Sequence, residues 1–268
     1  MEYTPFNRYL DGLFVEHHTK YSPTKDLLYM HTHNEYELLY IISGDVTHVI
    51  EDRKYKLKKD DLVIIRPNDY HFIQIDSSAD YERYDLLFNP EKLGITNIDF
   101  LPKNLDIINC ADKPILKEMF KKIDYYQSFI TNDELRDIIS LILKELFYNL
   151  KFSAVEKNNP QNIHPVISKA LENINTSLFT IKSITEIAEK LYVTESYLYR
   201  IFKRELKTTP LKYITEKRLI AAQNLIIQGE MPTHIYSECG FDDYTSFYRS
   251  YIKFFGYPPS KEKKEDKL

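Results

Sequence analysis

The hydrophobic pattern in the first part of the chain changes over short distances and is typical of β-strands. From Leu28 to Phe88, runs rich in β-branched and aromatic residues are separated by short breakers such as Ser43-Gly44-Asp45 and Pro67-Asn68-Asp69. The clearest runs cover residues 36–42, 46–50, 61–65 and 84–88. Many short strands at close spacing predict a small antiparallel barrel or sandwich, which we assign to residues 1–112.

The period of the pattern then becomes that of α-helices. Between Leu135 and Leu150 the apolar residues form one continuous helical stripe, at positions 135, 138, 139, 142, 143, 146, 147 and 150. A second amphipathic helix precedes it, with apolar residues spaced from Ile115 to Tyr126. We therefore predict a helical hairpin over residues 113–150, which packs either on the barrel or on a second copy of the chain.

A polar stretch without a hydrophobic period follows the hairpin. It contains the segment Glu156-Lys157-Asn158-Asn159-Pro160, and we predict a linker over residues 151–162. Everything after it, residues 163–268, has the pattern of short helices. The predicted fold is therefore α+β with two domains, of which the second is all α.

Capping signals define the helices of the second domain. Ser183-Ile184-Thr185-Glu186 has the form of a capping box, and Thr194 can cap a following helix that ends near Leu206. Pro210 and Gly229 stand at the start and end of a central helix of about 19 residues. Such a helix is roughly 28 Å long, close to the ~34 Å between successive turns of a DNA groove.

Two of these helices repeat each other at an offset of 49 residues. The matches are Leu198-Tyr199-Arg200 with Phe247-Tyr248-Arg249, Phe202 with Tyr251, Leu206 with Phe255, and Thr209-Pro210 with Pro258-Pro259. Two copies of one helix suggest two similar binding surfaces for a partner with a repeating structure, and duplex DNA is such a partner. The alternative is a pair of ordinary amphipathic helices with solvated charged faces.

Each repeated helix has an apolar face and a polar face, as a recognition helix requires. An arginine on the polar face can form two hydrogen bonds to guanine or hold a phosphate, and the sequence does not decide between them. The residues predicted to face DNA are Glu195, Ser196, Tyr199, Arg200 and Lys203 in the first copy and Tyr244, Thr245, Tyr248, Arg249 and Lys253 in the second.

Charge and composition restrict the classes of function. Residues 1–162 carry 20 Lys+Arg against 27 Asp+Glu, whereas residues 163–268 carry 16 against 13, so only the second domain is basic. Six isolated glycines exclude a Gly-rich phosphate loop, and two cysteines are typical of a reducing compartment. Because no apolar run could span a bilayer and no signal peptide opens the sequence, we expect a cytoplasmic protein.

The segment from Ile184 to Ser260 resembles the C-terminal domain of the AraC/XylS family of bacterial transcription regulators. The residues that carry the resemblance are Ile187-Ala188, Tyr197 to Lys203, Tyr213-Ile214, Arg218-Leu219, Ala221-Ala222, Leu225-Ile226, Gly240-Phe241, Phe247-Tyr248-Arg249 and Phe255 to Pro259. The resemblance implies two helix-turn-helix motifs joined by a long helix, and dimerisation through the hairpin. The sequence departs from the family pattern at two places. One is Lys207, where a glycine is usual, and the other is Lys261-Glu262-Lys263.

The first domain carries histidines in a pattern that resembles the first motif of cupin barrels. His31, His33 and Glu37 share one face if they lie on a strand, and His71 follows in a contracted form of the second cupin motif. These four side chains could converge on one metal ion. The sensor domains of the AraC/XylS family resemble cupins, which implies instead that the same residues line a pocket for a small molecule such as a sugar. A third interpretation is packing and hydrogen bonding within the barrel.

The leading interpretation is a homodimeric transcription regulator that binds double-stranded DNA and responds to a small-molecule effector, with no enzymatic activity and no cofactor. One alternative is a metal-dependent cupin enzyme, an isomerase or a dioxygenase, with an appended DNA-binding domain. Another is a DNA-binding dimer without an effector. The duplicated helices favour the first interpretation.

Overall fold

A computed structural model describes residues 5–23, 30–96, 98, 101–102, 105–152 and 160–262. The chain divides into two compact units, Met1–Gln161 and Asn162–Leu268. The first contains antiparallel sheets and two helices, and the second is helical, so the predicted α+β class is confirmed. Among the described residues, no helix is both long and apolar enough to cross a membrane.

The first unit is built on two antiparallel sheets. Its strands are β1 (Phe6–Leu10), β2 (Leu13–Lys20), β3 (Tyr36–Ser43), β4 (Val46–Ile50), β5 (Arg53–Lys56), β6 (Asp61–Ile65), β7 (His71–Ile75), β8 (Tyr81–Phe88) and β9 (Ile107–Asn109), and a two-residue strand, β10 (Gln161–Asn162), lies at the unit boundary. The larger sheet has the order β1-β2-β8-β3-β6-β9, and the smaller one contains β5-β4-β7. The four predicted strand runs are confirmed, whereas β1 and β2 precede the region in which strands were expected.

Strands β3 and β6 are buried on both faces. Leu38 and Tyr40 belong to an apolar core on one side of the larger sheet, whereas Leu39 and Ile41 belong to a core on the other side. Side chains alternate between faces along a strand, so one strand contributes to both cores. This explains why β3 has a continuous apolar run rather than a strict alternation.

Two helices, α1 (Pro114–Gln127) and α2 (Asn132–Phe152), cover one face of the larger sheet. The apolar stripe of α2 is buried, for example at Ile139 and Leu143, and it belongs to the same core as Leu38. The inward faces of the hairpin therefore pack within the subunit. Because α2 continues to Phe152, the prediction that a linker begins at residue 151 was wrong by two residues. Residues 153–159 of the predicted linker lie outside the described part of the chain.

The second unit contains six α-helices among its described residues. They are α3 (Pro165–Ser177), α4 (Ile184–Lys190), α5 (Glu195–Leu206), α6 (Pro210–Ile227), α7 (Pro232–Glu238) and α8 (Tyr244–Phe255), and a 3₁₀ turn covers Pro259–Lys261. Thr194 caps α5 and Thr209 caps α6 through their side-chain oxygens, and Pro210 opens α6 as predicted. Gly229 follows α6 with φ 101°.

Both cysteines are buried. Cys110 lies directly after β9 and Cys239 follows α7, each with 1% exposure and a free thiol. Burial raises the pKa of the Cys110 thiol to about 12 and that of the Cys239 thiol to about 11. Both side chains therefore pack as small apolar groups.

Candidate functional site

The second unit contains two helix-turn-helix motifs, α4–α5 and α7–α8. In the first motif, the Ser183 hydroxyl accepts a hydrogen bond from the Glu186 N–H at 3.2 Å, and the Thr194 hydroxyl accepts one from the Tyr197 N–H at 3.2 Å. In the second motif, the Asp243 carboxylate accepts from the Ser246 N–H at 2.8 Å. Side-chain caps thus define where each motif begins its second helix.

The turn of the second motif is one residue longer than that of the first. Helices α4 and α7 are offset by 48 residues, whereas α5 and α8 are offset by 49. In each turn one residue has a positive φ, Tyr192 at 56° in the first and Gly240 at 83° in the second. The sequence repeat is therefore a repeat of the second helices, interrupted by one inserted residue in the turn.

The residue after each second helix is left-handed. Lys207 has φ 56° and Gly256 has φ 80°, and they occupy equivalent positions at the offset of 49. A side chain in this region costs roughly 1–2 kcal/mol relative to glycine. The substitution noted at Lys207 is thus accommodated without a change in the end of the helix, and its ammonium donates to the Arg204 carbonyl oxygen at 2.8 Å.

The apolar residues of α5 and α8 face inward. Leu198, Ile201, Phe202 and Leu206 of α5 are buried, and so are Phe247 and Tyr251 of α8. All ten residues predicted to face DNA remain accessible. Those classed as exposed are Glu195, Ser196, Arg200, Lys203, Thr245, Arg249 and Lys253, and those partly buried are Tyr199, Tyr244 and Tyr248.

Some of these ten side chains also have structural contacts. The Glu195 carboxylate accepts a hydrogen bond from the Thr185 hydroxyl at 2.7 Å, which joins α5 to α4. Tyr244 packs edge-to-face on Tyr236, with ring centroids 5.8 Å apart. Lys253 lines a groove of about 460 Å³ together with residues of α6 such as Leu211. Glu195 and Tyr244 therefore also support the packing of their own motifs.

Arg200 and Arg249 occupy equivalent, exposed positions on the two helices. The Arg200 guanidinium lies over the Tyr197 ring at 5.3 Å, which orients its stem along the helix surface. Asp243 stands at the start of α8, and hydrogen bonds from the Ser246 backbone and side chain lower the pKa of its carboxyl. The negative charge of Asp243 repels a phosphate group, so any phosphate contact of α8 must lie away from this cap residue.

A second cluster lies in the first unit, where the structure brings together the four residues His31, His33, Glu37 and His71. Their ligand atoms all lie within 4.8 Å of one another. The Nε2 atoms of His33 and His71 lie 2.9 Å and 3.0 Å from the same Glu37 oxygen, Oε2. Glu37 and His71 are buried, His33 is half-buried and His31 is exposed. The four side chains thus converge as expected, although only Glu37 and His71 lie in strands and the prediction that His31 and His33 share the strand of Glu37 was wrong.

Glu37 and His71 form a buried ion pair. Burial alone would raise the pKa of the Glu37 carboxyl, but the charge of His71 and hydrogen bonds from both histidines hold that pKa well below its usual range. Burial likewise acts to lower the pKa of His71, and Glu37 outweighs it, so that this pKa is raised. Each partner therefore stabilises the charge of the other.

Other buried polar groups near this cluster were not predicted. His48 of β4 is fully buried, its ring centroid lies 5.9 Å from that of His71, and burial lowers its pKa to about 3. Asp85 of β8 pairs with Leu39 and faces the same side of the sheet as Glu37. Burial, followed by the charge of Glu37, raises the pKa of Asp85 well above its usual range. Nothing in the local sequence distinguishes a single histidine or aspartate in a strand as a buried neighbour of the cluster.

A third cluster of polar side chains links the larger sheet to α1. The His17 Nδ1 lies 2.9 Å from Asp124 Oδ1, and its Nε2 lies 2.9 Å from Glu82 Oε1. The Tyr84 hydroxyl donates to the other Asp124 oxygen. Burial lowers the pKa of His17, but Asp124 and Glu82 outweigh it and raise that pKa overall. His17 also lines a cavity of about 140 Å³ beside Tyr40.

Family profiles match both units. The profile of the AraC-like ligand binding domain matches residues 15–98, and that of a helix-turn-helix domain matches residues 187–265. The HTH-type transcriptional activator RhaR of Escherichia coli is 21% identical over 252 residues, which cover 88% of this chain and 87% of RhaR. The Msm operon regulatory protein of Streptococcus mutans is 22% identical over 237 residues, which cover 87% and 85%.

Solved structures also resemble the chain. ToxT from Vibrio cholerae strain SCE256, with a bound unsaturated fatty acid, aligns over 93% of this chain and 94% of its own, at 13% identity and a TM-score of 0.38. A regulator with an AraC-type DNA-binding domain from Chromobacterium violaceum aligns over 37% of this chain and 88% of its own, at 30% identity and a TM-score of 0.34.

Proposed function

The chain belongs to the AraC family of transcriptional regulators, and we propose that α5 and α8 each contact one major-groove segment of duplex DNA. The chain has the ligand-binding domain and the helix-turn-helix domain of such a regulator. The observation that carries the proposal is the accessible Tyr-Arg pair, with a partly buried tyrosine and an exposed arginine, that recurs at one offset, at Tyr199-Arg200 and Tyr248-Arg249. Two equivalent side-chain pairs in one folded unit suit a partner with a repeating structure, such as duplex DNA.

The ten accessible residues of the two helices form the proposed DNA surface. Arg200 and Arg249 are its centre, because each can bind a guanine edge or a phosphate through two hydrogen bonds. Ser196 and Thr245 are short, exposed and equivalent, so they allow close approach of the helix to the bases. Lys203 and Lys253 lie further along each helix and are proposed to contact phosphates.

The first unit is proposed to bind the small-molecule effector near His31, His33, Glu37 and His71. These side chains offer both hydrogen-bond donors and acceptors in a small volume, which suits a polyhydroxylated molecule such as a sugar. Within the cluster, Glu37 is the cross-strand partner of Ile65, which belongs to one apolar core of the sheets. Occupancy of the cluster would change the populations of conformations that bind DNA.

The protein is further proposed to act as a homodimer through the outer face of the hairpin. Leu141 and Tyr148 of α2 are seven residues apart, so they lie on the same face of the helix, and each is 61% exposed. Tyr125 of α1 and Phe129 in the turn after α1 add exposed aromatic surface. An apolar face of this kind is typical of contacts between subunits, and an isologous dimer would present two DNA-binding domains.

Selection of bound duplexes from a random pool tests the DNA proposal. We expect the full chain to enrich duplexes with two recognised segments centred about one helical turn apart, roughly 10–10.5 base pairs. Affinity for the enriched duplex should fall steeply as salt concentration rises, because phosphate contacts release counterions. Absence of any enriched sequence, or an affinity independent of salt, would contradict the proposal.

A further inference from the structure

The cluster in the first unit has the spacing of ligands around a single metal ion. If metal–nitrogen and metal–oxygen distances are about 2.1 Å, two ligands at right angles are about 3.0 Å apart and two opposite ligands about 4.2 Å apart. The observed separations of 2.9 Å for His33 to Glu37 and 3.0 Å for His71 to Glu37 match the first value. The largest separation, within 4.8 Å, requires the side chains to close by a few tenths of an ångström.

Hydrogen bonds to the backbone hold two of the imidazoles in a ligating orientation. The Nδ1 of His33 lies 3.0 Å from the Glu35 carbonyl oxygen, and the Nδ1 of His71 lies 2.9 Å from the Asp69 carbonyl oxygen. A carbonyl oxygen only accepts, so each ring carries a proton on Nδ1, and a ring that binds a metal ion does so through the lone pair of Nε2. Both lone pairs are then directed at the cluster. Histidine ligands of metal ions are oriented in this way by their second nitrogen.

In the metal-free chain each Nε2 that faces Glu37 must carry a proton, because the buried carboxylate oxygen only accepts. A metal ion would take the place of these two protons. A cation between the three atoms would bind all of them at once. The backbone supports the same convergence, because His31 and His71 form a bridge with two N–H to O hydrogen bonds of 3.0 Å.

We propose that His31, His33, Glu37 and His71 bind one divalent transition-metal ion. Three imidazoles and one carboxylate suit zinc, iron, nickel, cobalt or manganese, whereas calcium and magnesium favour sets composed of oxygen. Four protein ligands leave room for a water or an oxygen of a small molecule if the ion is five- or six-coordinate. The ion enters beside His31, the exposed member of the set.

Metal titration of the full chain tests this site without DNA or an effector, so the result does not depend on the regulatory function. Protein stripped with a chelator is titrated calorimetrically with Zn²⁺ and Ni²⁺, and metal retained after gel filtration is counted. We expect one ion per chain. H31A and H33A should each weaken binding by at least about tenfold, since even residues behind metal ligands contribute this much. The control H18Q changes a partly exposed histidine of the same unit outside the cluster and should leave binding unchanged.

X-ray absorption at the zinc or nickel edge provides the second measurement. We expect nitrogen and oxygen neighbours at about 2.0–2.2 Å, and no sulfur, because all four proposed ligands are histidine or glutamate. H31A changes an exposed side chain, and its far-UV circular dichroism should match that of the parent chain. Failure of the folded chain to bind zinc, nickel, cobalt, iron or manganese would overturn the proposal, and so would binding that H31A and H33A leave unaltered.

Discussion

The guanidinium of Arg218 donates a hydrogen bond of 2.7 Å to the backbone carbonyl oxygen of Gly240. Arg218 lies in the long helix α6, and Gly240 lies in the turn of the second helix-turn-helix motif. The same guanidinium donates to the carbonyl oxygens of Leu178 at 2.9 Å and Ile181 at 2.8 Å. One side chain therefore connects the second motif to the segment that precedes the first.

Arg218→Ala should destabilise the protein by at least about 2 kcal/mol. The substitution leaves three carbonyl oxygens without their charged donor, and a hydrogen bond from a charged group contributes roughly 1.5–3 kcal/mol. Urea denaturation followed by circular dichroism measures the loss. R204A, which removes an exposed arginine paired only with its neighbour Glu205 among the described contacts, is the control and should change stability by less than about 0.5 kcal/mol.

Gly240→Ala should be at least as damaging. Gly240 has φ +83°, and an added Cβ would lie 2.8 Å from the Arg218 guanidinium and 2.8 Å from the Phe179 carbonyl oxygen. We expect a loss of more than about 2 kcal/mol, from the left-handed backbone and the displaced guanidinium together. The control is G229A, because no atom lies within 4 Å of its added Cβ. Equal losses in the two variants would show that only the backbone conformation matters.

Lys207→Gly should stabilise the helical unit by about 1 kcal/mol, because glycine adopts the left-handed conformation without steric strain. The matched comparison is Lys203→Gly in the interior of the same helix, which should destabilise by about 1 kcal/mol. Chemical denaturation of both variants measures the sign of each change in the free energy of unfolding. A loss of stability in Lys207→Gly would mean that the contact of its ammonium with the Arg204 carbonyl oxygen outweighs the backbone strain.

Arg200→Ala and Arg249→Ala should each weaken binding to a selected duplex by about 1–3 kcal/mol if the arginine contacts a base. Fluorescence anisotropy with a labelled duplex measures the change. K169A serves as the control, since it removes an exposed charge from α3, outside both motifs. A phosphate contact would instead lower affinity for all duplexes and reduce the salt dependence. If neither variant altered affinity, the assignment of these two residues would be wrong.

The stability of the first unit should depend on pH through His17. Because its folded pKa is raised above the ordinary value of 6.5, protonated His17 stabilises the fold fully below about pH 6.5, and this contribution is lost as the pH rises through the raised value. Urea denaturation between pH 5.5 and 8.5 should therefore show a smaller difference between the parent chain and H17N at the upper end. The titratable and charged groups that face the ring or line its cavity are Asp124, Glu82, Tyr84, Tyr40, Lys59, Asp60, Lys117 and Lys121.

A difference between the parent chain and H17N that stayed constant over this range would contradict the His17 prediction. H234Q, which changes an exposed histidine of the second unit, is the control and should follow the parent chain at every pH. Because the comparison is a difference between two chains, the titration of other groups cancels to first order.

Leu141→Glu should convert the proposed dimer into a monomer. The substitution places a charge on the exposed apolar face of α2, where it would be desolvated on association. Light scattering after gel filtration measures the mass of each species. E145Q, on the same helix, removes a charge from an exposed side chain and should leave the mass unchanged. A monomeric parent chain would contradict the dimer proposal.

Local patterns predicted most of the elements but not the contacts between them. The stripe of α2, the Thr194 cap of α5 and the first-turn proline of α6 are encoded within a few residues, so their period and spacing suffice. The continuous run of β3 identified a strand, yet only the structure explains it, as burial between two cores. The inserted residue in the second turn was missed because the repeat was followed only through the second helices.

The candidate sites also differ in how far the sequence predicted them. His31, His33 and Glu37 were predicted to converge as alternate residues of one strand, and His71 was added from its resemblance to the second cupin motif. The four side chains do converge, but His31 and His33 precede β3, and it is the backbone bridge between His31 and His71 that brings the segments together. The pairing of His17 with Asp124 joins residues 107 positions apart and depends on how α1 packs on the larger sheet. No local pattern contains that information.

The two buried thiols restrict the kind of signal that the regulator can detect. Oxidants and electrophiles react with exposed thiolates, and both Cys110 and Cys239 are 1% exposed, with thiol pKa values of about 12 and 11. Neither side chain is therefore suited to sensing peroxide or disulfide stress. DNA binding should therefore be the same in reducing and in mildly oxidising buffer.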